Sequence, residues 1–170
     1  MIYSAEASAT GSVKAYFRTR RSITVTSSAT ATATSDISYE DAYKIALGIA
    51  QNIANSAAQN DANVMQVSVD TSTIGETEIY LDSSLLRDYV TAQGNTYTLN
   101  RDFTRGNGLT LLVDANDKFI VIRGVTLTIE NNSEIRILGT LYNDGTLNCL
   151  GAFNNLSNKT IYNTSSIRLS

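Results

Sequence analysis

Three glycines, Gly139, Gly145 and Gly151, recur every six residues in the C-terminal part of the chain, and Ile135, Leu141, Leu147 and Phe153 keep step with them. A helix repeats at about 3.6 residues and a strand at about two, so neither alone produces that beat. A chain coiling into a β-solenoid does, because each short strand sends an apolar side chain inward before Gly or Asn turns the corner. Ile129 extends the beat backwards, and Ile161 and Ile167 resume it after a two-residue slip. Asn143 and Asn155 stand twelve residues apart, which favours two half-turns of six per coil. A triangular coil of three six-residue faces is the alternative.

Upstream of the beat, the chain reads as β from Thr96 onward. Apolar runs at 97–99, 109–113, 119–122 and 125–129 are separated by corner compositions at 105–108, 114–117 and 130–133. Strands of this length also build sandwiches, and the glycine beat selects the solenoid. Residues 64–95 read as a mixed connector: Val67 and Val69 suggest one strand, Ile79-Tyr80-Leu81 another, and Ser83 or Ser84 caps a short helical turn. Residues 36–63 carry an amphipathic helix, expected from about Tyr39 to about Gln59. It is opened by the capping box Ser38-Tyr39-Glu40-Asp41 and striped by Ala42, Ile45, Ala46, Ile49, Ala50, Ile53 and Ala57. That narrow stripe suits packing within one subunit or a short bundle about a symmetry axis. Residues 1–35 form an extended Ala/Ser/Thr-rich arm whose alternation at 22–34 suits addition to an existing sheet edge. The expected class is therefore mainly β: a solenoid over 96–170, preceded by an arm, one helix and a connector.

Chemistry is sparser. The chain has no histidine, which removes Ser-His-Asp, Cys-His and histidine-bearing zinc sites together. Its single cysteine, Cys149, excludes an intrachain disulfide and reads as a small packed side chain at a corner of the repeat. With 13 basic and 16 acidic residues, no global attraction to nucleic acid is encoded. Lys14, Arg18, Arg20 and Arg21 nevertheless oppose only Glu6 in the first 35 residues, as in a charged edge that resists stray pairing. No apolar run is long enough for a membrane span, and the N-terminus lacks the pattern of a secretory signal, so use without processing is expected.

Two carboxylate pairs qualify for acid/base work, Glu76 with Glu78 and Asp114 with Asp117. Asp114, Asn116 and Asp117 also offer calcium its preferred oxygen ligands. The corner aspartates have a sufficient local explanation as turn residues. Thr-x-Thr recurs at irregular intervals, as β propensity alone would produce. The sequons at Asn131, Asn155, Asn158 and Asn163 follow from an Asn/Ser/Thr-rich composition, and Gly106-Asn107-Gly108 stops short of a dinucleotide fingerprint. No catalytic residue, cofactor or metal ligand is expected, and a glycan is the one small ligand that nine scattered tyrosines leave open.

Residues 35–63, preceded by the Ala-Thr repeat ending at Thr34, resemble a module in structural proteins of large DNA viruses of algae and protists. Gly124-Val125-Thr126-Leu127-Thr128-Ile129, running into Gly139-Thr140-Leu141, is similar to β-helical repeats of viral fibres and bacterial surface proteins. The resemblance implies a non-enzymatic virion component, such as a minor capsid, cement or fibre protein. Its expected partners are copies of itself, a trimer by analogy with viral fibres, and other capsid proteins. It supplies no catalytic residues. Having few coils, the chain suits a compact cap better than a long fibre; a carbohydrate-binding adhesin or host-attachment module is the alternative, ahead of a polysaccharide-acting β-helix enzyme, which would need more coils and a cleft of convergent carboxylates.

Overall fold

A computed structural model of the chain describes residues 1–159 and 161–170, and it divides into two compact units. One comprises residues 1–15 and 22–72, the other 16–21 and 73–170.

In the first unit, β1 (Tyr3–Ala15) and β2 (Ile23–Ser35) pair antiparallel over their full length as a two-stranded ribbon, with Ala9 opposite Ala29. The expected arm is thus a hairpin whose two strands pair with each other, and its first strand begins at Tyr3. Along β1 the odd-numbered residues turn inward and the even-numbered ones outward, and β2 follows the same alternation. The outer face carries paired hydroxyls, with Ser8 Oγ 2.8 Å from Thr30 Oγ1 and Thr10 Oγ1 3.1 Å from Ser28 Oγ.

The helix α1 (Tyr39–Ser72) covers the inner face. Ser38 opens it, accepting the Asp41 N–H on its hydroxyl at 3.1 Å and the Ala42 N–H on its carbonyl at 3.1 Å. It runs past the expected end near Gln59, and Val67 and Val69, expected in a strand, lie in its last turns. Valine costs a helix at most about 0.7 kcal/mol relative to alanine, so the preceding turns carry the helix through both, with Val67 left exposed.

Six alanines, Ala42, Ala46, Ala50, Ala54, Ala58 and Ala62, are fully buried, one every four residues. Four residues of helix rise about 6 Å, close to the roughly 6.7 Å of two strand residues, so each alanine meets successive inward positions of the ribbon. Strict fours also rotate the stripe by about 40° per step, so the receiving surface must turn along its length, as a two-stranded ribbon does. At Gly11 the backbones touch: a Cβ there would overlap the carbonyl of Ala54 and the amide of Asn55.

The second unit is a β-solenoid. Its first strands are β3 (Glu78–Tyr80), β4 (Val90–Gln93), β5 (Thr96–Leu99) and β6 (Phe103–Arg105), with β4 and β5 forming an antiparallel hairpin about Gly94. Three coils follow: β7 (Thr110–Val113), β8 (Lys118–Val121) and β9 (Thr126–Ile129); β10 (Glu134–Ile137), β11 (Thr140–Asn143) and β12 (Thr146–Cys149); β13 (Ala152–Asn155), β14 (Tyr162–Asn163) and β15 (Ser166–Leu169). They stack parallel into three sheets, ordered β13-β10-β7-β3, β14-β11-β8-β5-β4 and β15-β12-β9-β6. The coil is therefore triangular, and the two-sided coil favoured by the asparagine spacing is not what forms.

The beat of six is a four-residue strand plus a two-residue corner. Each glycine corner sits on a four-residue turn of the preceding coil. Asp117 N–H bonds Asp114 O at 2.8 Å, Val125 N–H bonds Ile122 O at 3.2 Å and Ser133 N–H bonds Glu130 O at 2.9 Å. A Cβ on Gly139, Gly145 or Gly151 would collide with both end carbonyls of the turn beneath it, so close approach requires glycine there.

Leu111, Ile135 and Phe153 stack on one inner face, Phe119 and Leu141 on the second, and Leu127, Leu147 and Ile167 on the third. Ile129 belongs to a different ladder, with Cys149 and Leu169, because the corner at 130–133 is two residues longer than those after it. Residues 16–21 belong to this unit. Phe17 is buried, its carbonyl accepts the Ser84 N–H at 2.8 Å, and the Ser83 hydroxyl bonds Arg18 O at 2.8 Å. It is Ser83 that caps the turn leading to Leu86, through the Leu85 N–H at 3.1 Å.

Candidate functional site

The two flanks of the buried alanine stripe differ in chemistry. On the side of β1, Gln51 donates from Nε2 to Thr10 O at 3.1 Å and to Asn55 Oδ1 at 2.9 Å, so a polar side chain satisfies a strand carbonyl. On the side of β2, Asp61 accepts from the Ser27 hydroxyl at 2.8 Å. The residues preceding Asp61 at intervals of four are Ala57, Ile53, Ile49 and Ile45. Those isoleucines are 49%, 42% and 44% exposed. Branched alkyl groups satisfy no strand amide or carbonyl, and three at 6 Å steps form an apolar rail. A shallow groove of about 420 Å³, lined by Asn52, Ile53, Ser56, Ala57 and Asn60, continues that rail. Among the described residues each ribbon strand has a single partner, which leaves one edge of β1 and one of β2 without a neighbouring strand.

In the solenoid unit, the corner aspartates meet Arg21. Its Nη2 lies 2.8 Å from Asp114 Oδ2 and 3.0 Å from Asp117 Oδ2, and the guanidinium stacks 4.9 Å from the centre of the Tyr80 ring. Burial alone would lower the Arg21 pKa, but hydrogen bonds and charge from both aspartates outweigh it and hold the cation firmly protonated. The Arg21 hydrogen bond, with help from the Ala115 N–H, draws the Asp114 carboxyl below its ordinary range. Asp117 moves the other way, because burial dominates over Arg21, and its Oδ1 is enclosed without a hydrogen-bond partner. Burial also pushes the neighbouring Tyr97 hydroxyl up, assisted by the charges of Asp82 and Asp117. A guanidinium therefore occupies the position where a calcium ion bound by Asp114 and Asp117 would sit. Among the described residues, no three His, Cys, Asp or Glu side chains converge to hold a metal.

Glu76 and Glu78 line one groove of about 300 Å³ with Thr19, Arg20 and Tyr80. Each is bound to a different arginine, Glu76 to Arg20 at 2.6 Å and Glu78 to Arg136, which also holds Glu134 at 3.1 Å. Both carboxylates serve as ion-pair acceptors. Cys149 points into the core beside the Gly151 carbonyl, and burial raises its thiol pKa.

A third surface lies on the outer face of β8, β11 and β14. Tyr142 and Tyr162 stack with ring centres 4.4 Å apart, and Lys118 Nζ sits 4.2 Å from the Tyr142 ring centre. Ile120, Asn143, Asp144 and Thr164 complete a groove of about 350 Å³ beside them. The stack follows from strand register, since Tyr142 and Tyr162 are direct parallel partners. Of the sequons, Asn131 is exposed at a corner, Asn155 receives the Ser157 N–H at 3.2 Å, and Asn163 receives the Asn143 amide at 2.8 Å. The Asn158 sequon ends at Thr160, outside the described residues. Gly106 and Gly108 flank Asn107 in a connection where Asn107 and Gly108 both adopt positive φ.

The unequal flanks of α1 were not separated by the sequence reading, which placed alanines and isoleucines on one stripe. Reading the helix in fours, as AYKI, ALGI, AQNI, ANSA, AQND and ANVM from residue 42, separates them and also carries the helix past Gln59. No protein-family model, curated protein or solved structure matches this chain.

Proposed function

We propose that this chain is a non-catalytic assembly protein, which binds copies of itself or a neighbouring structural protein through the hairpin–helix unit. The observation that carries this reading is the combination of two strand edges, each 13 residues long, with the exposed rail of Ile45, Ile49 and Ile53. Long unpaired edges are templates for pairing, and proteins that stay monomeric blunt them with charge, proline or bulges. Proline is absent from the whole chain. Within β1 and β2 only Glu6 and Lys14 are charged, both on β1. Placement in a virion, as a minor capsid, cement or fibre or cap protein, rests on the resemblance of residues 35–63 to viral structural proteins and of residues 124–147 to β-helical repeats of viral fibres and bacterial surface proteins.

Sedimentation velocity over a range of concentrations tests the assembly reading. Mass action predicts a species heavier than 18.4 kDa that dissociates on dilution, and Ile49→Ser with Ile53→Ser should shift it toward monomer. A chain that stays monomeric at every concentration, with no partner captured from its native particle, would sink it.

A second reading is favoured by the tyrosine stack. Flat rings beside Asp144, Asn143 and Thr164 suit a sugar, whose apolar face stacks while its hydroxyls find polar partners. Glycan binding that disappears in Tyr162→Ala, with the oligomer unchanged, would support an adhesin-like role.

A further inference from the structure

Resting on the assembly reading, we infer that two copies join through the free edges of β2, antiparallel about a two-fold axis, to make a four-stranded sheet ordered β1-β2-β2-β1. Three independent features select this edge and this partner.

The first is the difference between the edges. Gln51 already satisfies a carbonyl of β1 from above, and β1 holds both ribbon charges, Glu6 and Lys14. The β2 strand itself carries no charge, and the carboxylates on its flank, Asp41 and Asp61, stand only at the two ends of the rail, each held by a β2 serine. The inward residues of β2 toward the helix are Val25, Ser27, Ala29, Ala31, Ala33 and Ser35, small enough to let a second strand and helix approach.

The second is spacing. α1 covers a ribbon two strands wide, so adding another such ribbon at the β2 edge places the two helices two strand spacings apart. That distance is about 9.6 Å, inside the 8–10 Å at which helices normally pack. No other edge brings the isoleucine rails together. Across a β2–β2 seam, the rails face each other at contact distance.

The third is complementarity along the helices. Asp41 is hydrogen-bonded to Ser35, and Asp61 to Ser27, so 20 helix residues run alongside eight strand residues in opposite directions. Residue 51, midway between Asp41 and Asp61, therefore lies alongside Ala31, one residue from Thr30. A two-fold near Thr30 sets Ala29 of one copy opposite Ala31 of the other. It also sets Ile49 against Ile53, and Ile45 against Ala57 and the shallow groove next to Ser56. Large side chains thus meet small ones at the ends of the rail and each other at its centre. The two-fold pairing departs from the trimer that the viral-fibre analogy implies.

Cysteine cross-linking of the full-length chain under mild oxidation tests the arrangement, with Cys149 buried and unreactive in the background. Thr30→Cys is expected to give a disulfide-linked dimer, or one captured by a short bis-maleimide if the strand register is offset. Ser8→Cys lies on β1 opposite Thr30 within the same hairpin, and across the seam its two copies would be about three strand spacings, roughly 14 Å, apart. It is expected to give no disulfide.

Ile49→Asp should abolish the Thr30→Cys dimer, whereas Leu47→Asp on the opposite flank should leave most of it. A dimer from Ser8→Cys alone would overturn the inference in favour of the β1 edge. Cross-linking only when Ser8→Cys chains are mixed with Thr30→Cys chains would overturn it in favour of a head-to-tail ring; the two are kept on separate chains because together they would close within one hairpin. A heavy species in sedimentation that neither cysteine captures would overturn the β2 seam yet leave the assembly function standing. A monomer throughout would remove both.

Discussion

The solenoid and the hairpin–helix unit solve opposite packing problems. The solenoid fills a triangular interior with Phe119, Leu111, Leu127, Ile135, Leu141 and Leu147, all fully buried, so each coil adds large apolar area to a continuous core. The hairpin–helix unit buries alanines, which bring two backbones close but remove little apolar surface from water. One unit can afford to leave its outer faces polar. The other keeps its branched side chains, Ile45, Ile49 and Ile53, on the outside. A repeat of small residues therefore specifies geometry while removing little apolar surface from water.

That contrast predicts opposite mutational sensitivities. In the solenoid, removing volume should cost most: Phe119→Ala is expected to lose about 3–5 kcal/mol in denaturant unfolding. Ala50→Gly, which removes the buried Cβ from the other stripe, should lose only about 1 kcal/mol. If the two losses came out equal, the distinction between a filled core and a close-approach core would fail.

Adding volume should reverse the ranking within the hairpin–helix unit. Ala54→Leu, facing Gly11, is expected to cost roughly 3 kcal/mol by overpacking. The exposed neighbour substitution Ile53→Leu should cost less than about 0.5 kcal/mol. Gly145→Ala carries the same logic into the solenoid, where the new Cβ meets the Ile122 and Val125 carbonyls. A wild-type melting temperature for both Ala54→Leu and Gly145→Ala would show that neither approach is as close as described.

Arg21 supplies a smaller, pH-dependent difference. Arg21→Met leaves Asp117 buried without its cation. Removing one partner of a fully buried pair costs about 3–5 kcal/mol, and since the Arg21 side chain is 37% exposed, roughly 1–3 kcal/mol is expected. The two aspartates have opposite signs. Asp114, drawn down in the folded state, stabilises at neutral pH, and that contribution is lost as pH falls through its folded pKa, below the ordinary value near 3.9. Asp117, raised by burial, contributes stability that is complete below the ordinary value and lost as pH climbs through its folded pKa. Asp114→Asn should therefore flatten the most acidic limb of a stability profile, and Asp117→Asn the limb just above it. Identical profiles for the two variants would refute the split.

The smallest effect concerns Cys149. A buried thiol with a raised pKa should stay unreactive toward a thiol reagent in native buffer and react at the unfolding rate in denaturant. Rapid native labelling would mean that the second coil opens.

Much of the solenoid was legible because its information is local. A strand of four and a corner of two repeat within eighteen residues, and Gly139, Gly145 and Gly151 announce each corner. The coil shape was not, since asparagines twelve apart at 143 and 155 occupy different faces of a triangle. Ile129 was misphased because nothing in Glu130-Asn131-Asn132-Ser133 marks it as two residues longer than the next corner. The pairing of β1 with β2 was not legible within the extended arm: Ala5, Ala7 and Ala9 alternate correctly but are too small to signal a buried face. The pair between Arg21 and Asp114 spans 93 positions, and no pattern along the chain links them. Of the candidate interaction surface, the isoleucines were identified as apolar, but their exposure depends on which flank of a four-residue repeat they occupy.

Residues 16–21 lie between two strands of one unit yet belong to the other, and this orders events during synthesis. The ribbon's two strands and the helix are complete once residue 72 has been added, and they pack against one another. Arg21 must wait for Asp114 and Asp117, which emerge seconds later at typical elongation rates. The six-residue bend is thus made early and completed late. A nascent chain stalled before residue 114 should carry a protease-sensitive bend in an otherwise protected hairpin, and one released after the first full coil should not.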